Sequence, residues 1–486
     1  MSEHPQNRPE TYPSTSPRLP EKKHFDTSIP EEAMDIIHRL QQAGFQACLA
    51  GGCVRDFLLG KTAHDWDVAT SATPDQIEQL FPQNIPVGKA FGIVVVLSNG
   101  KPFEVATFRG DGVYKDGRHP EQIFFASLEE DVKRRDFTVN AMLYDPIAKH
   151  LYDFVEGQQD LNHKILRSVG NPWQRFQEDK LRLLRAIRFA ANLHFTIEEK
   201  TWQALCLECR NIKLVSRERI AAELEKMLLG GHSASAFQLL NQSGLLQVIL
   251  PSVAAMQDVA QPPEFHPEGD VWQHTLIMLS EWDKTLLNCS TSTPSQRFKD
   301  GQLTSASALE KRILAWAVLL HDIGKPETFQ KVDRIRFNGH DCLGAELAKE
   351  ILLGLKLPKN LIDGVHTLVR QHMSLTSFPM MREANRRRKL QETHFPLLLE
   401  LHRLDSLGSH KILSLHKDIL QAWQTEQSRP IPPQPLLNGK DLLQLGYQPG
   451  PIFSSILKAV QDATLENTVK TREEALKWIN EHFPKT

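Results

Sequence analysis

The 486-residue chain is poor in several things that would place a protein quickly. It has six cysteines (48, 53, 206, 209, 289 and 342), with none of the close regular spacing of a disulfide framework. Cys206 and Cys209 form a single C-x-x-C pair inside a helical pattern, without a second pair to complete a zinc site. Ordinary thiols are expected. No apolar run reaches the ~18 residues of a membrane span. The first 25 residues are polar with five prolines and lack the apolar stretch of a secretory leader, so a cytoplasmic protein with a disordered tail is expected. Net charge is only −2, so there is no global basic field, and any nucleic-acid binding must use local patches. There is no short internal repeat.

The length exceeds what one hydrophobic core supports, so several domains are expected. Residues 30–43 read as a helix with Met34, Ile36, Ile37, Leu40 and Ala43 on one stripe. Short β-rich runs follow at Gln46–Ala50, Trp66–Ala69, Ile93–Leu97, Phe103–Phe108 and Ala141–Tyr144. They predict a small mixed α/β head. From about residue 165 the pattern is almost wholly helical, as in Arg182–Phe189 and Ser216–Leu229. Residues 288–308 read as a polar surface loop, and Arg429-Pro430-Ile431-Pro432-Pro433 as a break before a last helical segment.

The most informative stretch runs from Leu49 to Val68. An apolar run ends at Gly51-Gly52, Arg55-Asp56 follow, and Asp65 and Asp67 stand two residues apart. On a strand that spacing puts both carboxylates on one face. They repel each other unless a cation lies between them, and Mg²⁺ takes such oxygen ligands together with substrate phosphates. The glycines let backbone N–H groups approach a phosphate, and Arg55 adds a fixed planar cation. A nucleoside-triphosphate site for metal-assisted phosphoryl transfer is expected.

Two further motifs follow. Arg134-Arg135-Asp136-Phe137-Thr138-Val139-Asn140-Ala141 offers Arg135 to triphosphate oxygens and Asp136 to a ribose hydroxyl; a capped helix start is its plain reading. In Glu178-Asp179-Lys180-Leu181-Arg182, helical spacing keeps Asp179, Arg182, Arg185 and Arg188 close, and their acceptors and donors suit the edge of a base. A helix laced with ion pairs is the plain alternative. Residues 167–226 hold twelve Lys/Arg against eight Asp/Glu, so this segment is locally basic.

Taken together, GGxxRD with DxD, RRDFTxNA and EDxxR resemble the class II nucleotidyltransferases, the polymerase-β-like group of CCA-adding tRNA enzymes and bacterial poly(A) polymerases. The resemblance covers about residues 30–486. It implies Asp65 and Asp67 as catalytic Mg²⁺ ligands. It also implies nucleotide contacts from Gly51, Gly52, Arg55, Asp56, Arg135, Asp136, Asn140, Asp179, Arg182, Arg185 and Arg188. Asp179 and Arg182 would select CTP or ATP, and the tRNA 3′ hydroxyl would attack the α-phosphate with loss of pyrophosphate. Phe108–Pro120, with its DGxYxDGRxP wording, looks like the flexible loop of CCA- and A-adding members.

The second half carries another chemistry. His274, His321-Asp322, His340, His372 and Asp405 recur on predicted helices, a ligand set for Mn, Ni, Fe or Zn. The order resembles the HD phosphohydrolases. Arg382, Arg386, Arg387, Arg388 and Lys389 form a basic run with a solvated helix face as its plain reading and RNA contact as the sharper one. Leu437–Pro451 resembles a family tail segment that could meet RNA phosphates.

The expected organisation is a disordered tail (1–25), a polymerase-β-like α/β head (26–155) and a helical neck and body (156–262). An HD metal-dependent phosphohydrolase domain (263–428) and a helical tail contacting tRNA (429–486) follow. Expected partners are tRNA, ATP and CTP, with no membrane. A poly(A) polymerase or A-adding enzyme is one alternative; an HD phosphohydrolase with a non-catalytic, RNA-binding head is the other. Oligomeric state and the HD substrate stay open.

Overall fold

The computed structural model describes residues 29–63, 65–85, 89, 92–111, 123–289, 297–428, 435–466 and 468–484. The polar N-terminal segment, residues 112–120 of the expected flexible loop and the Pro-rich break at 429–433 lie outside them. The chain divides into two compact units, Met1–Asn171 and Pro172–Thr486. No described helix is long and apolar enough to cross a membrane.

The first unit is the α/β head. Its helices are α1 (Glu31–Gln42), α2 (Gly52–Leu58), α3 (Pro74–Leu80), α4 (Leu128–Lys133) and α5 (Gly157–His163). Its strands are β1 (Ala47–Ala50), β2 (Asp67–Thr70), β3 (Asn84–Ile85), β4 (Ile93–Ser98), β5 (Lys101–Thr107), β6 (Arg109–Asp111), β7 (Ile123–Phe125), β8 (Leu143–Asp145) and β9 (His150–Tyr152). Seven of them form one mixed sheet in the order β3-β4-β5-β2-β1-β8-β9, in which only β2 and β5 pair in parallel. All five expected strands are present. Helix α1 buries Ala33, Ile36, Ile37 and Leu40; Met34 and Ala43, expected on the same stripe, fall outside its buried face.

The head extends to Asn171 because residues 156–171 are built into it. Thr138 N donates to Arg167 O (3.0 Å) and Val169 N to Asp136 O (3.1 Å). Buried Asp160 accepts from Thr138 Oγ1 (2.7 Å) and from Arg167 Nε (3.0 Å). A methyl group at Gly157 would lie 2.3 Å from Thr138 O, so only glycine permits this approach.

The second unit is helical. It opens with α6 (Pro172–Glu178), α7 (Leu181–Leu193), α8 (Glu199–Glu208), α9 (Arg217–Leu228), α10 (Ser233–Gln242), α11 (Leu245–Ile249) and α12 (Pro251–Ala254). Then come α13 (Val271–Asn288), α14 (Ala308–Leu320), α15 (Lys325–Thr328), α16 (His340–Gly354), α17 (Lys359–Gln371), α18 (Glu383–Leu390), α19 (Phe395–Gly408) and α20 (Ser414–Gln427). The last three are α21 (Gly439–Gln444), α22 (Pro451–Leu465) and α23 (Arg472–His482). Polar ties join the earlier helices to the later ones. Trp282 Nε1 donates to Leu228 O (2.8 Å), and Glu225 accepts from Arg312 Nε (2.8 Å) and Trp316 Nε1 (3.2 Å). The last segment has its own apolar cluster of Leu437, Leu442, Tyr447, Ile456, Val460, Ala463, Val469, Ala475 and Ile479.

Two expectations are corrected here. The described part of 288–308 is more than a surface loop. A short hairpin, Phe298–Lys299 with Gln302–Leu303, is tied to the helical core: Leu303 N donates to buried Glu400 (3.2 Å) and His416 Nε2 to Gly301 O (2.7 Å). The basic run at 382–389 is a solvated face only in part: Arg382 is exposed and Arg386 pairs with Glu383 on its own helix, but the rest is packed. Arg387 is buried and grips Glu426 (Nε–Oε2 3.0 Å) and Leu465 O, Arg388 meets Asp462, and Lys389 donates to Gln371 (2.7 Å). Arg387 and Arg388 hold α18 against α20 and α22. Arg387→Ala leaves Glu426 buried without its cation, and should lower stability by about 3–5 kcal/mol. Denaturant unfolding checks this, and an unchanged midpoint contradicts it.

Candidate functional site

In the head, β1 ends at Ala50 and the chain turns at Gly51, whose φ of 75° is left-handed, into α2. Asp67 opens β2, paired with Ala50 on β1. Asp65 precedes the strand rather than lying in it, so the two acids flank its first step. A methyl on Gly51 would lie 3.7 Å from Arg135 Nη1 and 3.9 Å from Asp67 Oδ2. The glycine turn, an acid and a guanidinium therefore meet at one corner. Glu104 was missed by sequence reasoning. The parallel register pairs Val68 with Val105, and one step back sets Glu104 beside Asp67. Only the strand pairing reveals this. Burial, Glu104 and Asp65 together push the Asp67 carboxyl up to about 6, against the pull of Arg135. Three carboxylates at one corner are oxygen donors of the kind a hard divalent ion takes.

The other head residues form the frame of this corner. Buried Arg55 donates to Asn140 Oδ1 (2.6 Å) and to Asp56 Oδ1 (2.8 Å). Asn140 Nδ2 reaches Asp136 Oδ1 (3.4 Å), which also accepts from Phe137 N (2.8 Å). Arg55, Asp56, Asn140 and Asp136 thus link the first motif to the second. Arg135 and Arg134 share Asp131; burial would raise that acid, but the two guanidiniums hold it below its usual range.

In the second unit the third motif does not lie on one helix. Asp179 sits in the break between α6 and α7 and caps Leu181 N (3.0 Å). Its carboxylate pairs with Arg219 (3.0 Å), which the sequence reading did not include. Arg182 donates to Glu178 (2.7 Å) and Arg175 O (2.9 Å). Asp179 and Arg182 are thus fixed by separate partners. Arg188 is bound to Glu223 (2.6 Å) and lies 4.2 Å over the Phe189 ring; Arg185 lies 5.2 Å over the same ring.

The imidazole set converges. His321 ends α14, His340 opens α16, and His372 closes α17. In each, Nδ1 is within 3.0 Å of the carbonyl three residues before it: Val318 (3.0 Å), Phe337 (2.8 Å) and Val369 (2.7 Å). A carbonyl only accepts, so Nδ1 carries a proton, and in a neutral ring Nε2 presents a lone pair. Those Nε2 atoms face Asp322, at 3.1 Å from His321, 3.5 Å from His340 and 3.7 Å from His372. His340 and His372 Nε2 are 3.1 Å apart. Burial, with help from His321 and His340, depresses His372 to about 4 despite Asp322, so the His372 ring is neutral at neutral pH and its Nε2 lone pair faces His340. His274 completes the wall, Nε2 on Asp405 (3.2 Å) and Nδ1 on Glu268 (2.7 Å). Burial would lower it, but the two carboxylates lift it to about 9. Two ligand groups emerge, His274-His321-Asp322 and Asp322-His340-His372, with Asp322 common to both. Lys325 Nζ also touches Asp322 (2.7 Å). This donor set fits a transition-metal ion.

A mixed sheet carrying acids at a glycine turn, followed by helices, is the architecture of a polymerase-β-like nucleotidyltransferase. Comparison with known proteins agrees. Residues 47–167 match the family described as "Poly A polymerase head domain". Residues 194–257 match "Probable RNA and SrmB- binding site of polymerase A", and 340–479 match "tRNA nucleotidyltransferase domain 2". The CCA-adding enzyme of Staphylococcus epidermidis is 30% identical over 466 residues, covering 93% of this chain and 98% of that protein. That of Lactobacillus helveticus is 36% identical over 352 residues, 68% and 86% of the two chains. The crystal structure of the Bacillus stearothermophilus CCA-adding enzyme in complex with CTP is 27% identical, with a TM-score of 0.61 over 93% of this chain and 96% of that one. The chain belongs to the CCA-adding enzyme family and is a nucleotidyltransferase.

The electrostatics of the corner can be read directly. In metal-free protein the Asp67 carboxyl should titrate with a midpoint near 6. Glu104→Gln removes a repelling charge and should move that midpoint down, followed by carboxyl-carbon NMR. A raised carboxyl favours the folded state at low pH, and that contribution disappears as pH rises through about 6. An unmoved midpoint in the variant would mean that Glu104 does not face Asp67.

Proposed function

We propose that this enzyme builds and repairs the 3′-terminal CCA of tRNA from CTP and ATP without a nucleic-acid template. The observation that carries the reading is the corner where Gly51, Asp67 and Arg135 meet, with Asp65 and Glu104 beside it. Asp65 and Asp67 would hold Mg²⁺, which when bound supplies positive charge to the triphosphate and to the attacking 3′ oxygen. Arg135 neutralises phosphate oxygens, and the Gly51-Gly52 turn lets the backbone come close to them. Asp136, Asn140, Arg55 and Asp56 keep the two motifs in register. The reaction exchanges one phosphoester for another with pyrophosphate leaving, so positioning and charge account for the rate and no covalent enzyme intermediate is needed. Asp179 and Arg182 are the candidates for reading the base edge. Their present partners, Arg219 and Glu178, would have to share them with a nucleotide.

A tRNA lacking its last three nucleotides, given labelled CTP alone, separates this reading from a poly(A) polymerase or an A-adding enzyme. Two C residues should be added; none would overturn the CCA assignment. Asp65→Ala and Asp67→Ala should each lower addition by at least about a thousandfold while tRNA binding stays near normal, since loss of a transition-state ligand costs several kcal/mol.

The converging imidazoles support a second activity, an HD-type phosphohydrolase. His274, His321, Asp322, His340, His372 and Asp405 would hold Mn, Ni, Fe or Zn, which when bound supplies a nucleophilic hydroxide for phosphoester cleavage. Damaged 3′ ends bearing a phosphate cannot attack a nucleotide, so such a site would restore the hydroxyl. His321→Ala and Asp322→Ala should abolish metal-dependent hydrolysis of p-nitrophenyl phosphate and 2′,3′-cyclic AMP while CCA addition stays within about twofold, because these residues belong to the helical unit and use different ligand chemistry from the head. Absence of hydrolysis with Mn²⁺, Ni²⁺ or Mg²⁺, or equal hydrolysis by His321→Ala, would leave the cluster a structural role.

A further inference from the structure

We propose that Asp131 is a positioning residue for nucleotide addition: it fixes Arg135 so that one nitrogen of the guanidinium is presented to the triphosphate beside Asp67. The inference rests on the reading of that corner as the nucleotide site. Ser127 and Glu130 cap α4 reciprocally, which sets the helix register and turns Asp131 inward, where its side chain is 2% exposed. The carboxylate is divided between neighbours. Oδ2 accepts from Arg135 Nε (3.1 Å) and Nη2 (2.9 Å). Oδ1 accepts from Arg134 Nε (3.0 Å) and Nη2 (2.7 Å), and from Arg109 N (3.4 Å) at the start of β6.

The geometry decides which atom of Arg135 does what. A side-on grip through Nε and Nη2 occupies the inner edge of the fork. Nη1 is then the nitrogen beside Gly51 and Asp67 Oδ2. Gly51 has no side chain to fill the space, so this nitrogen can reach a phosphate there. An arginine has many rotamers, and holding it beforehand removes an ordering cost from nucleotide binding. Charge points the same way. Arg135 lies within reach of the Asp67 carboxylate, so the cation that Asp131 holds stands at the corner where a triphosphate with its metal ion would sit. The capped helix with the two arginines that follow it and the glycine turn come from separate stretches of sequence; Asp131 fixes Arg135, and Arg135 joins them.

The test is a double-mutant cycle on full-length enzyme and tRNA lacking its CCA, with KM for CTP and kcat measured separately. Asp131→Asn keeps the shape and removes the charge. It should raise KM roughly tenfold, the size expected for weakening one charge-assisted fork, with a smaller fall in kcat. Arg135→Ala should raise KM at least as much. The double variant should match Arg135→Ala alone, because Asp131 acts through Arg135. Effects that multiply in the double variant, or a KM for Asp131→Asn within twofold of wild type, overturn the proposal. If Arg135→Ala itself leaves KM unchanged, the nucleotide site has been placed wrongly, a different failure. Circular dichroism checks the fold of each variant; if Asp131→Asn does not fold, Asp131→Glu, which keeps the charge and displaces the fork, replaces it in the same cycle with the same criteria.

Discussion

A buried carboxylate must have partners, and in this protein that requirement joins the parts of the chain. Stripping an acid of water without a cation or donors costs several kcal/mol, so each buried acid recruits groups from distant sequence. Asp131 gathers Arg134, Arg135 and Arg109 N. Asp160 gathers Thr138 and Arg167. Glu223 holds Arg188, Asp283 accepts from Ser233 N and Oγ, and Glu400 binds Arg403, Thr285 and Leu303 N. Glu426 is gripped by Arg387 and Gln391. Apolar packing makes each unit compact, but these acids fix which segment lies against which.

The candidate sites break the same rule, and that is what distinguishes them. At the head, Asp65, Asp67 and Glu104 share one corner, and mutual repulsion with burial lifts Asp67. Around Asp322, the Nε2 atoms of His340 and His372 meet at 3.1 Å. The buried acids named above each have donors or a cation of their own. At these two places several ligand groups converge, and an added cation would find its donors already gathered. The ligands differ in kind: carboxylates for a hard ion in the head, imidazoles for a softer one in the helical unit.

Arginine has two roles in this chain. Arg55, Arg188 and Arg387 are spent on internal acids or amides and hold segments together. Arg135 is gripped on one edge and keeps the other toward the corner at Gly51. Composition cannot distinguish these roles, since each motif presents the same residue type. Burial and the identity of the bonded nitrogen do.

Much was readable from order and spacing. The glycine pair, the two acids, RRDFTVNA and the ordered histidines follow from local chemistry, and so do the five sheet strands, because alternation and turn residues act over a few positions. The long-range pairings were not readable. Glu104 joins Asp67 only through the parallel β2–β5 ladder, across 37 residues of chain (67 to 104). Asp179 leaves its expected helix because the break at 179–180 makes it a cap and Arg219 claims its carboxylate. Arg387 and Arg388 looked solvated because sequence does not reveal that Glu426 and Asp462 lie opposite them. The sequence by itself determined which chemical groups are available and in what order. The tertiary structure alone decided which of them are neutralised by a neighbour and which remain for a ligand, because charge pairing depends on distance in space and not on distance along the chain.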